Sequence, residues 1–138
     1  MTSSEPVDYF GLHIPFMQYV GLRPEVIEKD YCRTSLAITP ELTNSRGDVH
    51  GGTIMAVLDF TLSAAARSHD PDNTGVTTIE MSTHFLEAVA GDIVIESRCL
   101  RRGRSIAFCE GTITSADTGN EVAVARATFK LLARKPAA

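Results

Sequence analysis

The stretch Gly51–Ala66, GGTIMAVLDFTLSAAA, carries a single charged residue, Asp59. Ile54, Leu58 and Leu62 recur at i, i+4 and i+8, the spacing of one helix face, and Met55 and Val57 widen the apolar surface around the cylinder. A helix that is apolar on most sides has to be buried. The rest of the chain must therefore enclose it. The cluster His69-Asp70-Pro71-Asp72-Asn73, ahead of Gly75, ends the helix with residues that break helical geometry.

Four strand-like runs follow: Val76–Glu87, Asp92–Arg101, Ser105–Ser115 and Glu121–Ala133. Turn signals separate them at Ala90-Gly91-Asp92, Arg102-Gly103-Arg104 and Asp117-Thr118-Gly119-Asn120. Such short connections predict antiparallel hairpins between successive strands. Two more strands, Val20–Lys29 and Tyr31–Thr39, precede the helix, and Pro40–Val49 has the Asn, Ser, Gly and Asp of a loop. Phe10–Val20 reads as a short helix or turn covering the core, and the ends, Met1–Asp8 and Lys135–Ala138, read as frayed. One strand face holds Ala107, Cys109, Gly111 and Ile113, and another holds Ala123, Ala125, Ala127, Phe129 and Leu131. Small side chains on a sheet face let a helix come close. The expected architecture is a single α+β domain, residues 1–138 with a core of about 20–133, in which an antiparallel sheet wraps one long helix.

Charge and cysteine content narrow the function. A formal net charge of −4 gives no global attraction to nucleic acid or to an anionic membrane. Cys32, Cys99 and Cys109 form no CxxC pair and no zinc-spaced Cys/His cluster, so no metal site is expected and reduced thiols in a cytoplasmic protein are. The opening MTSSEPVDYF lacks the basic and apolar regions of a signal peptide, and no apolar run is long enough to span a bilayer. His13, His69 and His84 have no sequence partner that would make them catalytic and are read as structural.

Two features between residues 44 and 59 carry chemistry. His50-Gly51-Gly52 opens the helix, where unpaired N–H groups and a partial positive charge collect. Glycine lets a carbonyl approach that backbone, as a developing oxyanion requires, although the same three residues also suit a plain glycine turn. Asp59 is the second. A carboxylate on an apolar helix must be paired, protonated or open to a cleft, and it can equally lie on a wet stripe of the helix. Arg101, Arg102 and Arg104 around Gly103 form the densest basic cluster in this acidic chain, fitting either a phosphate site or a solvated turn.

Taken together, Asn44, His50-Gly51-Gly52, Asp59 and Gly75-Val76-Thr77 resemble the hotdog-fold thioesterases of the phenylacetate-pathway (PaaI-like) and Them2-like group. The resemblance runs through NSRGDVHGGTIMAVLDFTLSAAA, GVTTIEMSTHFLEAVAGD, GRSIAFCEGTI and EVAVARATFKLL, and so covers roughly residues 20 to 133. It implies an acyl-coenzyme A thioesterase acting on an aryl or short- to medium-chain acyl group. Asp59 would serve as general base or nucleophile and the Gly51 N–H as oxyanion donor. Asn44 would position water or the carboxylate, Thr77 would orient the attacking water, and His50 would have a positioning role. No cofactor is implied, since coenzyme A arrives with the substrate, for whose phosphates the 101–104 cluster is the candidate. The resemblance also implies a homodimer, further paired as a homotetramer, with each site built from Asn44 and Gly51 of one subunit and Asp59 and Thr77 of the other. Two rivals share the fold. A non-catalytic acyl-CoA-binding module would lack the carboxylate or carry a DNA-binding extension, and an acyl-thioester dehydratase or hydratase would pair a histidine with an acid in surroundings absent here.

Overall fold

The structure, a computed structural model, describes residues 5–134. A short helix α1 (Pro15–Val20) leads into strands β1 (Arg23–Glu28) and β2 (Tyr31–Leu36). A single 3₁₀ turn at Pro40–Leu42 precedes the long helix α2 (Gly51–Ala66), which ends at Ala66 with its C-cap at Arg67, short of the breaker cluster that starts at His69. Strands β3 (Thr74–Phe85), β4 (Ile93–Arg102), β5 (Ile106–Ser115) and β6 (Glu121–Ala133) complete one six-stranded antiparallel sheet in the order β1-β2-β4-β5-β6-β3.

The short turns after β4 and β5 do form hairpins, but the one after β3 does not. β3 pairs with β6 at the far edge, and β4 pairs with β2. Turn chemistry fixes where the chain bends, and a hairpin at that point would leave α2 without its enclosing sheet. Crossing β3 to the opposite edge curls the sheet around the helix.

The inner face of the sheet is built as its alternation foretells. Ala107, Cys109, Gly111 and Ile113 of β5, and Ala123, Ala125, Ala127 and Phe129 of β6, lie buried against α2. Leu58 and Leu62 are fully enclosed there, each contributing about 2 kcal/mol through removal from water. The closest approach is at Gly111, where a Cβ would collide with the Leu62 side chain. A buried polar spine holds the helix in register. Thr34 and Thr61 hydroxyls meet at 2.8 Å, and the Ser97 hydroxyl donates to Thr61 O at 2.7 Å.

Arg67, at the C-cap of α2, is almost wholly buried without an ion pair. Its guanidinium donates to Pro71 O, Tyr9 O and Phe10 O at 2.9, 3.2 and 2.9 Å, tying the N-terminal segment to the helix end. The segment before Tyr9 is correspondingly better held than a frayed end. Val7 N–H donates to Gln18 Oε1, and Asp8 Oδ1 accepts from Gly11 N–H. The fraying expected of residues 1–4 and 135–138 lies outside the described residues.

Because Leu62 already fills the space a side chain at residue 111 would need, Gly111→Ala should destabilise the fold by about 2 kcal/mol, the usual cost of overpacking a tight core. Urea unfolding should show the midpoint falling, and the Gly111→Ala/Leu62→Ala double variant should lose less than the sum of the two single losses, because the smaller side chain makes room.

Candidate active site

Helix α2 places two separate groups of polar atoms. The first is its N-terminus. His50 is the N-cap, and its Nδ1 accepts the Gly52 N–H at 2.8 Å. That bond makes Nδ1 an acceptor, so the imidazole serves as the cap of the helix. It also explains Gly52, whose added Cβ would stand 3.0 Å from the same Nδ1. With Gly52 N–H taken, Gly51 N–H is among the donors a helix start leaves without an intrahelical partner. The His50 N–H is held by Leu42 O at 2.8 Å, which fixes the direction in which the helix begins.

Asn44 organises the approach to this end. Its Oδ1 accepts the N–H groups of Arg46 and Asp48 at 2.9 and 3.1 Å, closing the loop over 44–48. The amide oxygen is thereby occupied, and what Asn44 can offer a ligand is its Nδ2 donors. Asn44, Gly51, Phe85 and Val89 line one cleft of about 340 Å³. The Phe85 ring lies 3.7 Å from where a Gly51 Cβ would be.

The second group lies midway along the helix. Met55, Ala56, Asp59 and Ser63 form the half-exposed stripe of α2, while most of its other residues are buried. Asp59 Oδ1 accepts a hydrogen bond of 2.6 Å from the Thr78 hydroxyl. The residue expected at this place was Thr77. β3 alternates its side chains, so Thr77 pairs with exposed Lys130 on the outer face, whereas Thr78 pairs with buried Phe129 on the inner face and meets the helix. Within the chain, Thr78 and not Thr77 is the hydroxyl on Asp59.

A bulge at Ile79 then shifts the register of β3 against β6. Thr78 and Phe85 are seven positions apart, an odd separation that would put them on opposite faces of a regular strand. With one residue left unpaired at the bulge, Val76, Thr78, Met81, Thr83 and Phe85 all face the helix side. Alternation alone gives no sign of this, because nothing in Thr77-Thr78-Ile79-Glu80 marks a bulge.

The arginine cluster divides. Arg102 turns inward and caps the C-terminus of α2, donating to Ala66 O at 2.9 Å and Ala65 O at 3.1 Å and pairing with Asp30 at 2.8 Å. Its side chain is only 13% exposed, so it is not free to hold a phosphate. A further bulge after Cys99 brings it to the inner side of β4. Arg101 and Arg104 remain exposed on either side of the Gly103 turn. His69 and His84 are exposed and take no part in either group. Among the described residues no cluster of His, Cys, Asp or Glu could hold a metal ion, and no helix is long and apolar enough to cross a membrane.

A family model described as the thioesterase superfamily matches residues 46–122, a span containing the helix start, Asp59 and Thr78. A candidate esterase of Halobacterium salinarum is 30% identical, over 91% of this chain and 87% of its own length. Human acyl-coenzyme A thioesterase 13 is 30% identical, over 70% of this chain and 69% of its own. Among solved structures, a conserved protein of Pseudomonas aeruginosa superposes with a TM-score of 0.81 at 28% identity, covering 86% of this chain and 94% of that one.

The inward turn of Arg102 yields a clear expectation. Arg102→Ala uncovers two helix carbonyls and Asp30 and should cost about 2 kcal/mol in denaturant unfolding. Arg101→Ala and Arg104→Ala should stay within about 0.5 kcal/mol of the parent, as exposed substitutions do.

Proposed function

This chain belongs to the thioesterase superfamily, and from that premise we propose that it hydrolyses an acyl-coenzyme A at a site shared between two subunits. It is a thioester hydrolase; the choice of acyl-CoA and the roles of individual residues are our reading. The observation that carries this reading is Asp59 itself, a carboxylate on a half-exposed apolar stripe, oriented by the Thr78 hydroxyl. Thr78 uses one lone pair of Oδ1, which leaves the carboxylate capacity to accept a proton from water. Water attacks the thioester carbon as Asp59 takes its proton, and the carbonyl oxygen gains negative charge that a preorganised N–H such as that of Gly51 stabilises; the intermediate then collapses, the C–S bond breaks, and the coenzyme A thiolate leaves with the proton that Asp59 took. Asn44 Nδ2 donates into the same cleft, and His50 keeps the helix start rigid. If Asp59 attacks the carbon directly, a mixed anhydride forms and the thiolate leaves; when labelled water opens that anhydride at the aspartyl carbon, one turnover in ¹⁸O-water leaves the label in the carboxylate, which the general-base route never labels.

The need for two subunits follows from distance. Gly51 and Asp59 are eight residues apart on one helix, about 12 Å along its axis, too far to act on one thioester. β3 is an edge strand with Ile79, Phe85 and the following Leu86 more than half exposed. Its inner face carries Thr78, against Asp59, near one end and Phe85, against Gly51, at the other. With the bulged Ile79 left out of the pairing, antiparallel association of two β3 strands about a two-fold axis at Ser82 lays Thr78 of one chain opposite the partner's Phe85. Asp59 of one chain then meets Gly51 of the partner subunit. The same dimer is the unit that a tetramer would repeat. Arg101 and Arg104 lie past the C-terminal end of α2, a separation that the extended pantetheine arm of coenzyme A can cover, and they are the side chains we assign to its phosphates in place of Arg102.

Four outcomes test the reading. Asp59→Asn should lower kcat by at least about 100-fold while the chain stays folded, since Asn is nearly isosteric but cannot take the proton. Thr78→Val should lower kcat by a smaller factor, and Thr77→Ala by less again. In the double variant Arg101→Ala/Arg104→Ala, KM for acyl-CoA should rise more than kcat falls, because the contact is remote from the reacting carbon. Mixing inactive Asp59→Asn chains with inactive Asn44→Ala chains should restore roughly a quarter of parental activity, because half the dimers are mixed and each of those holds one intact site. Full turnover by Asp59→Asn would sink the mechanism; no recovery on mixing would sink the shared site alone.

A further inference from the structure

The sheet brings two of the three cysteines together in a way the hydrolytic site does not use. Cys99 on β4 and Cys109 on β5 are directly opposed across the strand pair, both on the inner face. The backbone geometry of this opposition is specific. Cys99 N–H donates to Asp30 O at 3.0 Å, on the β2 side of β4. A strand residue sends its N–H and C=O to the same side, so Cys99 makes no ladder bonds to β5, and Cys99–Cys109 is a non-hydrogen-bonded pair. Such pairs have the closer Cα separation, about 4.5 Å, with side chains drawn together. A disulfide spans Cα separations of roughly 4.4 to 6.8 Å, so this pair can be bridged without moving either strand far. The register breaks immediately after Cys99, where a bulge gives β4 some freedom to adjust.

We propose that Cys99 and Cys109 form a redox-active dithiol, a modification site at which hydrogen peroxide drives formation of a cross-strand disulfide.

The two thiols differ in the way such chemistry needs. Cys99 is 9% exposed and Cys109 only 1%, so a small oxidant reaches Cys99 first. A hydrogen bond from Cys109 holds the Cys99 thiol below its ordinary pKa against the opposing effect of burial, and the Arg102 guanidinium adds to the lowering. The same hydrogen bond, together with burial, pushes the Cys109 thiol up, so Cys109 keeps its proton. Cys99 thiolate attacks one peroxide oxygen, giving the sulfenic acid and hydroxide. Cys109 sulfur then displaces the sulfenic oxygen, forming the S–S bond, while its thiol proton leaves with that oxygen as water. Overall two thiols lose two protons and two electrons, and one peroxide becomes two waters. Cys32 serves as an internal reference: it lies on β2 against Ala64 and Ala65, opposite no other cysteine, and burial pushes its thiol up to about 12.

The test uses the reduced full chain, exposed to hydrogen peroxide, quenched, denatured in an alkylating reagent and weighed. We expect the chain to lose about 2 Da and to take up one alkyl group in place of three. Tryptic digestion should join the peptide Cys99–Arg101 to the peptide 105–126, with Cys32 alkylated. In Cys109→Ser the resolving thiol is gone while a hydroxyl donor to Cys99 is kept, and Cys99 should instead be trapped as sulfenic acid by a cyclic diketone. Three alkylated thiols after peroxide treatment, a disulfide between chains, or Cys99 carried to sulfinic acid with Cys109 still free in the parent would each overturn the proposal. The parental mass measurement stands whether or not the variant folds.

Discussion

Everything in this molecule is set by how closely α2 can approach the sheet that encloses it. Leu62 occupies the volume that any side chain at Gly111 would need, and the alanines of β6 continue the same low floor. The approach distance fixes the rotation of the helix, and the rotation decides which stripe stays half-exposed. The Thr34–Thr61–Ser97 spine locks that rotation from the buried side with hydrogen bonds that lie away from water. Asp59 is therefore positioned from behind, by packing on faces it does not share. Thr78 then needs only a single hydrogen bond to choose its rotamer.

The two ends of the helix are each closed by side chains. His50 caps the start and leaves the Gly51 N–H as the donor. Arg67 and Arg102 gather the carbonyls and loops at the finish. The positive N-terminus has no charged side chain in its first turn, whereas the negative C-terminus is neutralised by two guanidinium groups. Such an asymmetry suits a reaction in which negative charge grows on an oxygen at one end only.

Much of this was legible in the sequence because it follows from composition and period. The apolar run at Gly51–Ala66, the small residues on β5 and β6, and the turn residues before β5 and β6 each report a local physical requirement. The fold class and the bounds of α2 come from those signals directly. What the sequence hid is of two kinds. The partnering of β3 with β6 is a long-range choice that a short turn misrepresents. Thr78, and the inward course of Arg102, depend on bulges at Ile79 and after Cys99, and a bulge is a backbone event with no fixed residue signature. Arg67 was missed for a related reason: a buried arginine satisfied wholly by carbonyl oxygens has no acidic partner to betray it.

The bulge at Ile79 also bears on how the chain could change length. Ile79 is the single residue of β3 with no counterpart across β6. Its loss would shorten the strand while leaving every flanking side chain on its present face, since Thr78 and Glu80 already oppose the consecutive residues Phe129 and Thr128. Deleting any residue between Glu80 and Phe85 instead sets the alternation out of phase with β6 for part of the strand and turns inward groups such as Met81 or Thr83 outward. Ile79 is therefore the spare position of this edge, the one place in β3 where a deletion is silent to the layout of the site.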